Sequence, residues 1–277
     1  MKKTVYISDL DGTLLTSDAE ISAKSAEIIN RLISKGMLFT VATARSVSSS
    51  KRILSCLDLN LPVVLMNGVF IADIKSGRVI ESVPIEKNTA LKIIEIFKSF
   101  NVSPFMYCAE GDMLDVVFEK IDSKQNEMFY KRREKQYYRR FEQVEKLTPP
   151  DNGECVYFNI VDSYSRLKPL ADKLRSVKGV SVAFYEDTYL EDSWFLEVFS
   201  SKASKCSGML RIKEMTGAER AVVFGDNLND ISMFECADES FAVSEAVPQL
   251  KKIATGVIGS HDEDAVAKHL EKIFEYR

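Results

Sequence analysis

The chain has 277 residues, 45% hydrophobic and 28% charged. That is enough apolar material for a real core and too much for a disordered chain, at a length where chains begin to split into two domains. A net charge of −4 argues against nucleic acid or an anionic membrane as the main partner, because either favours a strongly basic face, and no apolar run approaches the roughly 18 residues that a membrane-spanning helix needs.

In chain order, Thr4 to Ser8 reads as a buried strand, followed by a loop at Asp11-Gly12-Thr13. Ser22 to Lys35 has a helical stripe of Ile28, Ile29, Leu32 and Ile33, with Ser22 as N-cap and Gly36 as stop. Met37 to Ala42 is a second strand, Arg52 to Leu57 a helix, and Val63 to Met66 a third strand closed by Asn67-Gly68. Alternating elements with continuously apolar strands predict a parallel α/β sheet.

The pattern then changes. A helix runs up to Phe100, and Pro104 to Cys108 and Met113 to Glu119 read as half-buried strands. Ser123 to Lys146 reads as one long charged helix, which takes in the basic run Lys131 to Arg140; there Tyr130, Tyr137 and Phe141 fall at helical spacing and predict inward packing beneath a solvated face. Pro149-Pro150-Asp151-Asn152-Gly153 breaks the chain. Strands follow at Val156 to Val161, Val180 to Tyr185 and Trp194 to Phe199, with a helix at Arg166 to Ser176. Parallel order resumes with a helix at Lys205, the strand Ala221 to Phe224, a helix from Asp230, the strand Ser240 to Val243 and a last helix from Asp264 to Phe274. Cys56, Cys108, Cys155, Cys206 and Cys236 show no C-x-x-C spacing and are expected to be reduced thiols of a cytoplasmic protein. With only two histidines, His261 and His269, a zinc site is not expected.

Two strand ends carry the chemistry. Asp9 and Asp11 follow the first strand, two apart in extended chain and so on one side. Two carboxylates so close call for a cation. In open α/β sheets ligands bind at the carboxyl ends of strands. Gly225-Asp226-Asn227-Leu228-Asn229-Asp230 follows another apolar strand, and its oxygen ligands suit Mg²⁺. A helix cap accounts for one of those polar residues but not for all of them. Thr43-Ala44-Arg45 ends the second strand, where a hydroxyl and free N–H groups can hold a phosphate oxygen. Lys205 opens a helix and can neutralise phosphate as a point charge; Lys202 is a rival three residues earlier.

Together, Asp9-Leu10-Asp11-Gly12-Thr13, Thr43, Lys205 and Gly225-Asp226-x-x-Asn229-Asp230 resemble the four motifs of the haloacid dehalogenase superfamily. The large insert between Asn67-Gly68 and Lys205 resembles the C2 cap of its Cof-type sugar-phosphatase branch, as do Met66-Asn67-Gly68 and the tail at Asp262 to Val266. Two positions depart from the pattern: Ala44 stands where Gly is usual, and the stretch before Lys205 lacks the common Pro and Gly. The resemblance implies that Asp9 attacks phosphorus, that Asp11 acts as acid and then base, and that Mg²⁺ is held by Asp9, the Asp11 carbonyl and Asp226. It further implies that Thr43, the Ala44 N–H and Lys205 bind the phosphoryl oxygens, that Asn229 helps to hold the phosphate or a metal-bound water, and that Asp230 orients the site.

The expected architecture is a Rossmann-like α/β core from residues 1–83 and 190–277 with an inserted α+β cap at 84–189. The expected function is Mg²⁺-dependent hydrolysis of a small phosphorylated metabolite, with sugar phosphates the leading class. Phosphoryl transfer in a mutase and a non-catalytic metabolite-binding protein are the rivals. Oligomeric state is left open by the sequence.

Overall fold

The computed structural model describes residues 2–110, 113–134, 141–186 and 192–275. The chain divides into two units, residues 1–81 with 203–277 and residues 82–202. The first unit is built on a five-stranded sheet, ordered Gly256–Val257, Glu239–Ala242, Arg220–Gly225, Thr4–Ser8, Leu38–Val41. Every pairing in it is parallel. A single parallel bridge from Ala42 to Val64 links it to a smaller sheet of Val63–Leu65, Phe70–Ala72 and Val79–Ser82.

The strands of this sheet are apolar on both faces because helices cover both. Val5, Ile7, Phe39, Val41, Val222 and Phe224 are fully buried. The helix Ala23–Ser34 turns Ile28, Ile29, Leu32 and Ile33 inward, and the Ser22 hydroxyl caps it by accepting from the Ser25 N–H. The helices Lys205–Thr216, Ile231–Cys236 and Ala265–Glu275 belong to the same unit.

The second unit is a six-stranded sheet, ordered Val180–Glu186, Trp194–Ser200, Glu154–Asp162, Phe105–Glu110, Met113–Phe118, Phe141–Gln143. It is antiparallel except for its last pair. Ile93, Ile94 and Phe97 of the helix Lys87–Ser99 and Leu167, Leu170 and Leu174 of the helix Tyr164–Arg175 pack on Phe158, Ile160, Leu196 and Val198 of one face. The other face carries Phe105 and Phe195, which meet Phe129 of the helix Lys124–Glu134 at ring separations of 5.4 and 5.9 Å.

Three expectations are corrected. The long helix expected from Ser123 to Lys146 stops at Glu134, and Phe141–Gln143 is a strand. Helical propensity there yields to sheet hydrogen bonding with Met113–Phe118 and to the edge-on contact of Phe141 with Phe105. Tyr137 and the rest of the basic run past Glu134 lie outside the described residues. The division after the insert falls at 202/203 rather than 189/190, because Trp194–Ser200 hydrogen-bonds to strands of the insert on both sides. Finally, Cys206 and Cys236 are joined in a disulfide, with Cα atoms 6.0 Å apart, so the five thiols are not all reduced. The two cysteines sit near the start of one helix and at the end of a neighbouring one, 30 residues apart, a relation that sequence spacing does not reveal. Cys56, Cys108 and Cys155 are free. Among the described residues no helix is long and apolar enough to cross a membrane.

Candidate active site

The parallel sheet brings three strand ends together. The strand Thr4–Ser8 runs straight into Asp9, whose N–H donates to the Phe224 carbonyl at 3.0 Å. The neighbouring strand ends at Gly225, so Asp226 emerges at the same edge. Leu38–Val41, on the other side, leads into Thr43. Parallel register is what makes these ends coincide.

The centre of the cluster is Lys205. It is the first residue of its helix, which Ser204 caps through the Ser207 N–H. Its Nζ lies 2.6 Å from Asp9 Oδ1 and 2.6 Å from Asp230 Oδ1, and all three side chains are buried. The second oxygen of Asp230 accepts from the N–H groups of Asp226 and Asn227 at 3.0 and 3.1 Å. Asp230 thereby ties the strand-end loop to Lys205 with both oxygens. Asp226 accepts from the Thr13 hydroxyl at 3.0 Å. Close packing enforces two glycines: a Cβ on Gly12, which has φ +71°, would lie 2.6 Å from the Asp226 carboxylate, and one on Gly225 would lie 2.6 Å from that of Asp230.

Carboxylate oxygens of Asp9, Asp226 and Asp230 lie within 4.8 Å of one another. Three such groups around one ammonium leave an excess of negative charge, and the acid equilibria respond. Burial pushes the Asp9 carboxyl well above the usual carboxylate range; the Lys205 ammonium opposes the rise, and Asp230 and Asp226 add to it. Burial, with Asp230 beside it, pushes Asp226 up to about 6, against the Thr13 hydroxyl and Lys205. Burial alone would lower the Lys205 ammonium, but Asp230 and Asp9 outweigh it and raise it. The cluster therefore lacks positive charge, and hard oxygen donors of this kind fit a divalent cation such as Mg²⁺.

The remaining expected residues lie around this centre. Asp11 is not in the acid cluster. Its carboxylate is half exposed and gripped at two points by Arg45, from Nε at 2.8 Å and Nη2 at 2.5 Å. Thr43 is fully buried, and its Oγ1 accepts from the Arg45 N–H at 3.1 Å, while Ala44 beside it is exposed. Asn229 is exposed and donates from Nδ2 to Asn67 Oδ1 at 3.2 Å. Lys202, the rival of Lys205, is exposed and belongs to the other unit. Sequence reasoning gave no role to Arg45, Thr13 or Asn67. Each sits within or directly after a motif, and that adjacency was the available signal.

A family model described as haloacid dehalogenase-like hydrolase matches residues 6–270. The chain belongs to that family, and it is an enzyme of the phosphatase class. It is 26% identical to the 5-amino-6-(5-phospho-D-ribitylamino)uracil phosphatase YwtE of Bacillus subtilis (strain 168), over 96% of each chain. It is also 26% identical to the pyridoxal phosphate phosphatase YbhA of Escherichia coli (strain K12), over 98% of each. Among solved structures, a subclass IIB sugar phosphatase of the superfamily superposes with a TM-score of 0.69 at 20% identity, covering 98% of both chains.

Proposed function

We propose that the protein hydrolyses the phosphomonoester of a small metabolite, a sugar or sugar-alcohol phosphate, through a phosphoaspartate on Asp9 and with Mg²⁺ at the acid cluster. The observation that carries this reading is Asp9 at a strand end, bound to a buried lysine and flanked by Asp226 and Asp230. Asp9 and Asp226, with the Asp11 carbonyl, would hold the metal. Bound Mg²⁺ would supply positive charge against the phosphate dianion and let Asp9 stay ionised.

The chain's own groups do the rest. An Asp9 oxygen attacks phosphorus as the bond to the leaving oxygen breaks, and Asp11 gives that oxygen its proton. A water then attacks the phosphoaspartate, Asp11 takes the water's proton, and Asp9 is released with inorganic phosphate. Arg45 donates to both oxygens of the Asp11 carboxylate, so this grip opens when Asp11 carries the proton for the leaving oxygen and can close again once that proton is given up. Lys205, Thr43, the Ala44 N–H and Asn229 bind the phosphoryl oxygens, and Asp230 fixes Lys205. The unit at 82–202 acts as the cap and carries the selectivity for the leaving group. The relative named for a phosphoribityl compound supports the sugar-alcohol phosphate class, and the one named for pyridoxal phosphate supports a small phosphorylated metabolite only in general.

The test is Asp9→Asn, assayed on p-nitrophenyl phosphate and a panel of phosphorylated metabolites with Mg²⁺ or with EDTA. Turnover is expected to fall by about 10³-fold or more in the variant, and wild-type turnover to vanish in EDTA and return with Mg²⁺. Activity of the variant within a few-fold of wild type would reject the covalent step, and full activity in EDTA would reject the metal.

A further inference from the structure

Met66-Asn67-Gly68 is a motif that the mechanism above leaves unused. Its backbone is unusual: φ is +49° at Met66, +54° at Asn67 and +93° at Gly68. Two consecutive non-glycine residues in the left-handed region are strained, and such strain persists only where the surroundings over-determine it. The surroundings here are the candidate site. The Met66 N–H donates to the Arg45 carbonyl and the Asn67 N–H to the Thr43 carbonyl, each at 3.0 Å. A Cβ on Gly68 would lie 2.1 Å from the Ser204 carbonyl oxygen, so the turn is pressed against the residue that caps the Lys205 helix. The turn directs the Asn67 side chain at another motif, where its Oδ1 accepts from Asn229 Nδ2 at 3.2 Å.

We propose that Asn67 is a positioning residue for Asn229. The left-handed turn puts the Asn67 carboxamide where it engages one N–H of Asn229, and so fixes which way the Asn229 amide faces. Asn229 is exposed and lies in the short turn Leu228–Asp230. Asp230 next to it is buried and held by Lys205 and two backbone N–H groups. The backbone at Asn229 is therefore anchored while its side chain is left to rotate unless something holds it. An amide that must be ordered as the phosphoryl group arrives binds it less well than one already aimed. Asparagine suits position 67 on both counts, since it tolerates the left-handed region better than most residues and carries an acceptor. The inference rests on the proposed contact between Asn229 and the phosphoryl group.

Asn67→Gly is the informative variant, because glycine keeps the left-handed backbone and its N–H and removes only the carboxamide. The experiment compares wild type, Asn67→Gly, Asn229→Ala and the double variant, reading kcat, KM, the inhibition constant for inorganic phosphate and the melting temperature. Loss of one oriented hydrogen bond is expected to raise KM and the phosphate inhibition constant about five-fold in Asn67→Gly. Asn229→Ala should raise them at least as much, and the double variant should be no worse than Asn229→Ala. A merely structural Asn67 would instead lower the melting temperature, leave phosphate inhibition unchanged and add to Asn229→Ala, and that pattern overturns the proposal. If Asn229→Ala itself leaves phosphate inhibition unchanged in an otherwise active enzyme, the phosphoryl contact of Asn229 falls and the proposal with it, while hydrolysis through Asp9 stands.

Discussion

In the parallel sheet every strand leaves through the same edge; in the sheet of the insert neighbouring strands leave mostly through opposite edges. The consequence is visible in where each unit keeps its covered polar groups. The first unit gathers Asp9, Asp226, Asp230 and Lys205 at one edge, where strand ends and the starts of following segments supply N–H donors and a cation. The insert spreads its covered polar groups along a sheet face instead. There Tyr157 and Glu197 are buried on adjacent strands, and the Tyr157 ring meets those of Tyr107 and Phe199 on the neighbouring strands at 5.7 and 5.6 Å. Burial holds the Tyr157 hydroxyl well above its ordinary range, with Glu197 close by as its hydrogen-bond acceptor. One unit sets three carboxyl groups around a single ammonium at a strand-end edge; on this face of the other, a neutral hydroxyl sits beside one carboxyl group.

Removing the cation from the first arrangement is expected to have the largest effect. Lys205→Met leaves Asp9 and Asp230 buried without their ammonium, which should cost about 3–5 kcal/mol, together with most of the activity. Denaturant unfolding with and without Mg²⁺ checks it, and Mg²⁺ should recover part of the loss. A variant as stable as wild type in EDTA would break the contrast at its stronger side.

The insert should respond less. Tyr157→Phe withdraws one donor from Glu197 and is expected to cost about 1.5–3 kcal/mol, the range for a hydrogen bond to a charged group. Adding Glu197→Gln should recover part of that loss, read by the same unfolding curves. Equal losses at Tyr157 and Lys205 would mean that the two units do not differ in this way.

The smallest effect concerns a base under the parallel sheet but away from its charged edge. His269 lies 4.1 Å from the ring of Phe241, and its buried Nε2 has no hydrogen-bond partner among the described residues. Burial, with Lys272 adding to it, lowers its pKa below the ordinary histidine value of 6.5. The folded state therefore binds this proton less readily than the unfolded chain. The stability it protects is complete above pH 6.5 and declines as pH falls from there toward the folded value. Melting temperatures from pH 7 to 5 should fall less steeply in His269→Phe than in wild type. An unchanged slope would show that the sheet tolerates charge at that position too.

Much of the first unit was legible in the sequence because parallel strands are apolar throughout and break abruptly at polar ends. Thr4 to Ser8 was read with the bounds it has, and Ser22 was read as the cap that it is. The same abruptness exposed Asp9 and Asp226, and Lys205 contacts Asp9 directly. What escaped depends on contacts remote in sequence. The Arg45 grip on Asp11 spans 34 residues and the Asn67 contact with Asn229 spans 162. In the insert, Phe141–Gln143 looked helical because its neighbours are charged helix formers, and only pairing with Met113–Phe118 makes it a strand. Trp194–Ser200 was recognised as a strand but assigned to the wrong side of a boundary, since a strand's partners are not written in its own residues.

The bond between Cys206 and Cys236 has a consequence in the denatured chain. It closes a ring over a separation of 30 residues that contains Asp226 and Asp230, and Lys205 is the residue just before it. Even with every strand unpaired, those three charged groups cannot drift farther apart than the ring allows, so the search that brings them together is shortened before folding starts. Asp9 lies outside the ring. Its strand, docking beside Arg220–Gly225, is then the one long-range arrival that assembly of the four-residue cluster still awaits.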